Sequence, residues 1–221
     1  MRIGITGWRG FIGTYLSDKI NDPILFQGDL RNVEEVKEFV KDCDYIYHIA
    51  GKNREIEGRI LPNNLVSTGN LVLSIKSQII EPKIIFVSSK QVEWNANSEY
   101  GFTKSIEEEI VKKAKQWCIF RVPNVYGAGG RASYNSVVAT FTYMLSHGLK
   151  VTVDNPDDTR EFVFVEDLVS KLIRPKFLEY INIKGEVMSI GEIYEYLTTR
   201  LGEHKNLKKC LDFWRDDVST S

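Results

Sequence analysis

Short apolar runs alternate with helical patterns throughout the first half of the chain. The run at residues 44–49 is rich in β-branched and aromatic residues, as buried strands are. The predicted strands are residues 2–6, 23–27, 44–49, 83–88 and 117–122, and the predicted helices are residues 11–20, 33–41, 61–76 and 98–115. Strands spaced by helices imply an α/β fold with a doubly wound parallel sheet covered on both faces. In such sheets ligands bind at the carboxyl ends of the strands.

The alternation loosens after residue 122, where a proline and three glycines fall within residues 123–133. Beyond this segment the pattern predicts a helix at residues 134–147, a strand at 149–153 and a helix at 189–200. No linker can be located in the sequence. We therefore predict a single domain over residues 1–221, in which residues 123–221 mainly form a small C-terminal lobe.

Composition and charge narrow the class of protein. The 221 residues are 43% hydrophobic and 27% charged, as in ordinary globular domains, and the formal net charge is −1. This charge gives no basis for a nucleic-acid or membrane surface, and no apolar run is long enough to span a bilayer. The three cysteines lie far apart without metal-ligand spacing. We expect a cytoplasmic protein that binds neither nucleic acid, nor membrane, nor metal.

A glycine-rich loop follows the first predicted strand and opens the first helix. Gly7 permits the tight turn, Gly10 allows the backbone to approach a pyrophosphate, and Gly13 lets the helix pack closely on the sheet. The first helical residues, Phe11 and Ile12, supply free N–H donors at the positive end of the helix dipole. In this strand-to-helix context the loop predicts a Rossmann-type dinucleotide site, whereas an ordinary glycine turn is the alternative.

Charged residues near this loop bear on the choice of dinucleotide. Arg9 lies inside the loop, where its guanidinium could pair with an adenosine 2′-phosphate, which favours NADPH over NAD. A solvated arginine is the alternative. Asp29 closes the second strand–helix unit and could accept a bond from the adenine or ribose, or cap a turn. Arg31 is a second candidate for the extra phosphate.

A phenol and an ammonium group are four residues apart in the fourth predicted helix. Tyr100 and Lys104 therefore share one helical face. The ordinary pKa of tyrosine is about 10, and a nearby lysine favours the phenolate and tunes the tyrosine for proton transfer. Ser89 follows a strand at the carboxyl edge of the sheet, where it can hold a substrate hydroxyl or carbonyl. A surface pair and a helix-cap serine are the alternative interpretations.

Taken together, these motifs resemble the extended short-chain dehydrogenase/reductases, the group of nucleotide-sugar epimerases, dehydratases and reductases. The matching motifs are residues 6–13, 29–30, 48–51, Asn64, 88–89, 100–104, 121–127 and 160–163. The resemblance implies a catalytic triad of Ser89, Tyr100 and Lys104, with Lys104 also on the nicotinamide ribose. It implies that residues 1–122 mainly bind the dinucleotide and residues 123–221 mainly bind substrate.

The same resemblance extends the list of binding residues. Further cofactor contacts are implied for Leu30, Ala50, Gly51 and Pro123. Substrate contacts are implied for Asn124, Asn135 and Arg160, with Asn124 and Arg160 on the diphosphate of a nucleotide sugar. A turn residue and a surface salt bridge are the alternatives for Asn124 and Arg160.

Two stretches narrow the resemblance further. Residues 50–54 and 134–141 are similar to the reductase domain of capsular-polysaccharide enzymes. Those enzymes use NADPH to reduce a UDP-2-acetamido-2,6-dideoxy-hexos-4-ulose at C4. They continue into a C-terminal cupin-type domain, which the 221 residues do not include. We expect the same 4-reductase activity from this chain.

Other functions on the same fold remain open. Gln91 and about Gly129 occupy the places of the acid/base groups found in combined epimerase-reductases, and neither can exchange a proton near neutral pH. A nucleotide-sugar 4-epimerase with bound NAD, or a non-catalytic dinucleotide-binding protein, are the alternatives. The helices at residues 61–76 and 98–115 resemble those that pair in dimers of this superfamily, so we expect a homodimer.

Overall fold

The computed structural model describes residues 1–53, 60–95 and 97–219. Within these residues two compact units are found: residues 1–122 with 171–183, and residues 123–170 with 184–221 as far as they are described. The strands are β1 (Ile3–Thr6), β2 (Ile24–Leu25), β3 (Tyr45–His48), β4 (Lys83–Ser89), β5 (Trp117–Val122), β6 (Asn124–Tyr126), β7 (Thr159–Phe164), β8 (Glu179–Asn182) and β9 (Glu186–Ser189).

The helices connect these strands. They are α1 (Phe11–Ser17), α2 (Val33–Lys41), α3 (Ile60–Lys76), α4 (Gln91–Trp94), α5 (Glu99–Val111), α6 (Val137–Ser146), α7 (Val165–Leu172), α8 (Ile190–Leu197) and α9 (Lys205–Ser219). None of the helices among the described residues has an apolar stretch long enough to cross a bilayer.

The first unit contains a six-stranded parallel sheet in the order β2-β1-β3-β4-β5-β8. Its central strands are buried, which explains their nearly continuous apolar sequence. The predicted α/β fold with a doubly wound parallel sheet is confirmed. The edge strand β8 was not predicted. It is short, begins and ends with polar residues, and pairs with β5 from a distant part of the chain.

The register of three strands places polar groups at one sheet edge. Thr6 at the end of β1 pairs with His48 at the end of β3, and His48 pairs with Phe86 in β4. The carboxyl ends of parallel strands meet at the same edge. This edge therefore carries the glycine loop after β1 and the serine that ends β4, Ser89.

The helix boundaries of the first unit follow from their caps. The Asn32 side chain accepts a bond from Glu34 N at 3.2 Å and starts α2 at the predicted residue. The Ser98 hydroxyl accepts a bond from Gly101 N at 3.0 Å, so α5 starts one residue later than predicted. Both caps satisfy N–H groups that the first helical turn leaves unpaired.

The second unit is built around a smaller sheet in the order β6-β7-β9, with β6 and β7 parallel and β7 and β9 antiparallel. Apolar residues of its strands and of α6, α8 and α9 form one core. The core residues include Tyr126, Phe141, Phe162, Phe164, Ile193 and Leu211. The polar helix α9 was not predicted, although its buried positions 207, 210 and 211 follow helical spacing.

Two sequence predictions for this unit are wrong. Residues 149–153 form no strand: Val151 and Val153 pack against the core as irregular chain, without a sheet partner. The helix predicted from residue 134 begins at Val137, because the Ser136 hydroxyl accepts a bond from Ala139 N at 3.2 Å and caps it there. Asn135 consequently lies in the turn before α6 and is exposed.

The close packing of the glycine loop yields a stability prediction. A Cβ atom at Gly13 would lie 2.1 Å from the Gly7 carbonyl oxygen, whereas one at Gly10 would lie 3.2 Å from that oxygen. Gly13→Ala should lower the free energy of unfolding by about 1–3 kcal/mol, because backbone must move. Gly10→Ala should lower it by less than about 1 kcal/mol. Urea unfolding of both variants measures the difference, and equal midpoints would contradict the packing described.

Candidate active site

The glycine loop has the shape that an anionic cofactor needs. Gly7 has a φ of +74°, and a Cβ there would lie 2.5 Å from Ala50 N. Gly10 N donates to Gly7 O at 3.0 Å and closes the turn. Helix α1 has neither a side-chain cap nor an acidic residue in its first turn, and its first N–H groups lack an intrahelical partner. These residues fit the pyrophosphate of a dinucleotide.

Arg9 is held on the side of this loop that faces the end of β2. Its Nη2 donates to Gln27 Oε1 at 2.7 Å, and its guanidinium carbon lies 4.7 Å from the centre of the Trp8 ring. The Trp8 indole in turn donates to the Phe26 carbonyl at 3.0 Å. The guanidinium is exposed and is oriented by contacts on two sides.

Asp29 and Arg31 satisfy each other. The Asp29 carboxylate accepts bonds from Arg31 N at 2.9 Å, Nε at 3.0 Å and Nη2 at 2.5 Å. These bonds lower the pKa of Asp29 to about 2. Arg31 is thereby less free than Arg9 to receive an extra phosphate. Leu30 between them is buried at 8% exposure and anchors the turn to the core.

The loop after β3 touches both the glycine loop and Lys104. Ala50 lies against Gly7, and a Cβ atom at Gly51 would lie 3.3 Å from Lys104 Nζ. The buried Asn64 of α3 fixes this loop by accepting from Lys52 N at 3.0 Å and donating to Lys52 O at 2.9 Å. Arg54, the last residue of the matching stretch 50–54, lies outside the described residues.

The three predicted catalytic residues belong to the first unit. Ser89 ends β4 with 9% exposure, and its Oγ accepts a bond from Gln91 N at 3.2 Å. Tyr100 is half-buried in the first turn of α5. Lys104 is 3% exposed, and its Nζ lies 4.5 Å from the centre of the Phe86 ring. The lysine is therefore a buried charge beside the end of the sheet, which excludes a surface pair.

A buried chain of hydrogen bonds leads from β1 to Lys104. It was not predicted from the sequence. The two ring nitrogens of His48 lie 2.7 Å from Thr6 Oγ1 and 2.9 Å from Thr68 Oγ1. Thr68 donates to Glu107 Oε1 at 2.6 Å, and Glu107 Oε2 lies 3.1 Å from Lys104 Nζ. The one available signal was a glutamate three residues after Lys104 on the same helical face.

The titratable groups of this chain have shifted pKa values. Burial lowers the pKa of His48 to about 3, and the Lys104 charge adds to the effect, so this histidine is neutral. Burial opposes the charge on Lys104, but Glu107 and Tyr100 raise the pKa of Lys104 above its usual value. Burial raises the pKa of Tyr100, the Lys104 charge lowers it and Glu107 raises it, with an upward net shift.

A second buried carboxylate on α5 has a separate set of partners. Glu108 accepts from Ser88 Oγ at 2.6 Å and from Arg121 Nη2 at 2.7 Å. Arg121 also donates to Glu93 at 2.9 Å and stacks on Tyr180 at 4.5 Å. These contacts join α5 to β4, β5 and β8, and they explain why two adjacent glutamates can be buried.

The remaining predicted binding residues belong to the second unit. Pro123 opens it and is partly exposed. Asn124 Nδ2 donates to the Glu161 carbonyl at 3.0 Å. Arg160 is exposed in β7 and donates to Asp158 Oδ2 through Nη2 at 2.7 Å and Nε at 3.0 Å. Asn124 and Arg160 thus have protein partners of their own within this unit.

The parallel sheet with the glycine loop at its carboxyl edge defines a Rossmann-type fold. The model of the NAD dependent epimerase/dehydratase family matches residues 3–191, and the chain belongs to this family.

Three known proteins illustrate the similarity. The UDP-2-acetamido-2,6-beta-L-arabino-hexul-4-ose reductase of Pseudomonas aeruginosa is 28% identical over 96% of this chain, which spans 59% of that relative. The UDP-glucose 4-epimerase of Thermotoga maritima, solved with UDP-glucose, has a TM-score of 0.83 and 18% identity, covering 99% of this chain and 100% of the other. RMD from Pseudomonas aeruginosa, complexed with NADPH, has a TM-score of 0.79 and 20% identity, covering 98% and 99%. The two structures show the shared fold.

The buried His48 generates a prediction for stability against pH. Its pKa is about 3 in the folded protein and 6.5 in an unperturbed histidine, so between these values the unfolded chain binds the additional proton. This group should therefore remove about 1.4 kcal/mol of stability per pH unit as the pH falls well below 6.5. Urea unfolding at a series of pH values between about 7 and 4 measures the slope of the free energy of unfolding against pH.

The variant His48→Gln should have a shallower slope than the wild type, whatever its stability at neutral pH. His147→Gln, which removes an exposed histidine, serves as the control for the loss of an imidazole. Parallel curves for the wild type and His48→Gln would show that the buried imidazole does not produce the pH dependence.

Proposed function

We propose that this chain catalyses the NADPH-dependent reduction of the C4 keto group of a nucleotide-linked deoxy sugar, UDP-2-acetamido-2,6-dideoxy-hexos-4-ulose. The observation that carries the proposal is the burial of Lys104. It lies one helical turn after Tyr100 in α5 and next to the loop that contains Gly51. The similarity to a 4-ulose reductase over 96% of the chain supports the substrate class. We place the reaction in the cytoplasm and in surface-polysaccharide biosynthesis.

In this proposal each residue of the triad has a separate task. The dinucleotide, when bound, supplies hydride to the C4 carbon of the sugar. Tyr100 donates its phenolic proton to the C4 oxygen as negative charge develops there. Ser89 donates a hydrogen bond to the same oxygen and orients the carbonyl. Lys104 binds the nicotinamide ribose and stabilises the tyrosinate that the proton transfer leaves behind.

The protonation state of Tyr100 agrees with a role as an acid. Burial raises the pKa of this phenol, and the opposing effect of the Lys104 charge does not reverse the shift. The phenol is therefore protonated at neutral pH. Reduction of a ketone starts with the proton on the enzyme, whereas oxidation of an alcohol starts with a base.

Arg9 supports NADPH as the preferred dinucleotide, with NAD as the alternative. Its contacts with Gln27 and Trp8 hold the guanidinium beside the end of β2, the strand whose following turn contains Asp29. In a Rossmann-type fold this turn lies near the adenosine ribose. A fixed guanidinium there can form bidentate bonds with a 2′-phosphate.

Substrate binding and assembly follow from the family resemblance. We assign Asn124, Asn135 and Arg160 to the nucleotide sugar, with Arg160 exchanging Asp158 for the diphosphate. We also propose a homodimer formed through α3 and α5. The exposed apolar side chains of Val66, Leu73 and Phe102 on these helices support such an interface.

The direct test is to mix the protein with NADPH and the enzymatically generated keto sugar and to follow the absorbance of the reduced nicotinamide, with NADH in parallel. Stoichiometric oxidation of NADPH is the expected result. Nicotinamide that stays bound through purification, with no net oxidation, would instead indicate a 4-epimerase. NADPH binding without turnover of any keto sugar would indicate a non-catalytic binding protein.

Tyr100→Phe tests the assignment of the proton donor. Loss of the hydroxyl should reduce kcat by about 10²–10⁴-fold, since general acid catalysis contributes this much. The dissociation constant for NADPH, measured by fluorescence, should stay within about twofold, because the ring and Lys104 remain. Tyr180→Phe, at a partly exposed tyrosine of β8, is the matched control and should keep full activity. Retained turnover in Tyr100→Phe would refute the assignment.

Arg9→Gln tests the dinucleotide preference. Removing one charge-assisted contact should raise KM for NADPH by about tenfold or more and leave KM for NADH within about twofold. Arg31→Gln is the control, and we expect a smaller effect because Arg31 is already paired with Asp29. If KM for NADPH is unchanged in Arg9→Gln, another residue reads the 2′-phosphate or the protein does not discriminate.

A further inference from the structure

The carboxylate of Glu107 lies one helical turn beyond Lys104 and is fully buried. We propose that Glu107 is a positioning residue that neutralises Lys104 and thereby keeps Tyr100 a proton donor, so that the site favours reduction of a ketone over oxidation of an alcohol. This inference rests on the proposed function, whose triad it uses. It assigns a role to a residue that the triad does not include.

The first step is the balance of charge around Lys104. Nζ lies 3.1 Å from Glu107 Oε2, and the exposed fraction of the two side chains is 4% and 0%. Oε2 has no aligned hydrogen-bond donor among the described residues, so Lys104 alone compensates its charge. An opposite charge this close offsets much of the positive potential that Lys104 alone would produce. Tyr100 therefore lies beside a nearly neutral pair instead of a lone cation.

The second step is the way in which the carboxylate is held in place. Thr68 donates to Oε1 at 2.6 Å, and Thr68 is itself bonded to His48, which is bonded to Thr6. The chain spans α3, β3 and β1 and brings no second charge, because the low pKa of His48 keeps the imidazole neutral. Glu107 cannot turn toward solvent without breaking this chain, so its position opposite Lys104 is fixed.

The other charged groups near the pair do not replace Glu107. Glu108, the next residue of α5, is engaged by Ser88 and Arg121. The one charged residue among the described residues of α3 is Lys76, which donates to the Lys113 carbonyl at 3.0 Å.

The two strands nearest to the Lys104–Glu107 pair, β3 and β4, provide no further charged partner for it. β3 presents His48, whose ring lies 5.5 Å from that of Phe86, and β4 presents the Phe86 ring to Lys104 Nζ. The only charged residue of β4, Lys83, lies at its opposite end and donates to the Tyr45 hydroxyl at 3.2 Å. Among the described residues, Glu107 is the acidic group in contact with Lys104, and Glu108 raises the pKa of Lys104 less than Glu107 does.

The third step concerns the direction of the reaction. In the reduction, hydride from the nicotinamide forms the new C–H bond, and the carbonyl electron pair moves to oxygen. The Tyr100 O–H bond breaks and its proton forms the sugar hydroxyl, leaving tyrosinate to be reprotonated by solvent. The reverse reaction, which is also the first half of a 4-epimerisation, needs tyrosinate at the start. A lone cation beside Tyr100 would favour that form, whereas a neutral pair favours the phenol.

The test measures ionisation of Tyr100 without cofactor or substrate. The difference in tyrosinate ultraviolet absorbance between the wild type and Tyr100→Phe, followed against pH, isolates this one tyrosine. In the wild type we expect ionisation only above the ordinary tyrosine pKa of about 10. Ionisation of Tyr100 below this value would overturn the proposal, because Lys104 would then act as an uncompensated cation.

Glu107→Gln, measured against Glu107→Gln/Tyr100→Phe, should lower the ionisation pH of Tyr100 by about one unit or more. The alkaline limb of the pH profile of kcat/KM for reduction should move in the same direction. Glu109→Gln, which removes an exposed glutamate of the same helix, is the matched control and should leave both unchanged. Equal ionisation in Glu107→Gln and the wild type would overturn the proposal.

Glu107→Asp keeps the measurement decisive if Glu107→Gln does not fold. It retains the charge one methylene farther from Lys104, so a smaller shift in the same direction is expected, and no shift would count against the proposal. The titration also separates the two inferences. If the keto sugar is not reduced but the shift is observed, the proposed function fails and the role of Glu107 stands.

Discussion

The buried ion pair between Lys104 and Glu107 is the interaction on which the arrangement of the site depends. Two charges with almost no exposure lose their hydration, and removing one partner would leave the other uncompensated, at a loss of about 3–5 kcal/mol. Neighbouring side chains stabilise both charges. Thr68 donates a hydrogen bond to the Glu107 carboxylate, and the Phe86 ring packs against the Lys104 ammonium group. Lys104 is thus held in place by its ion pair with Glu107 and by the Phe86 ring.

The sheet explains how residues distant in sequence reach this pair. Register places Thr6 and His48, the last residues of β1 and β3, beside Phe86 in the middle of β4. The same edge carries the glycine loop and the loop of Ala50 and Gly51, which lies against both Gly7 and Lys104. In the proposed reaction, one edge of the sheet would therefore contact both the dinucleotide on the glycine loop and the carbonyl near Tyr100.

The predictions of secondary structure succeeded where an apolar run or a helix cap is visible within a short stretch of sequence. The buried strands and capped helices of the first unit were found within a few residues, because their apolar runs and caps are continuous in sequence. The second unit was predicted less well: residues 149–153 are not a strand, and β7, β9 and α9 were missed. Its strands are short and partly exposed, so their pairing depends on partners far away in the chain.

The sequence by itself determined the fold class and the position of the glycine loop, because apolar runs and glycine spacing are local patterns, and the family resemblance singled out Ser89, Tyr100 and Lys104 as candidates. Only the tertiary structure decided that Arg31 is tied to Asp29, that Arg9 is oriented by Gln27, and that Lys104 faces a buried carboxylate. The physical reason is that burial and ion pairing depend on which side chains the sheet brings together. A sequence states that a charge is present, and the fold determines what compensates it.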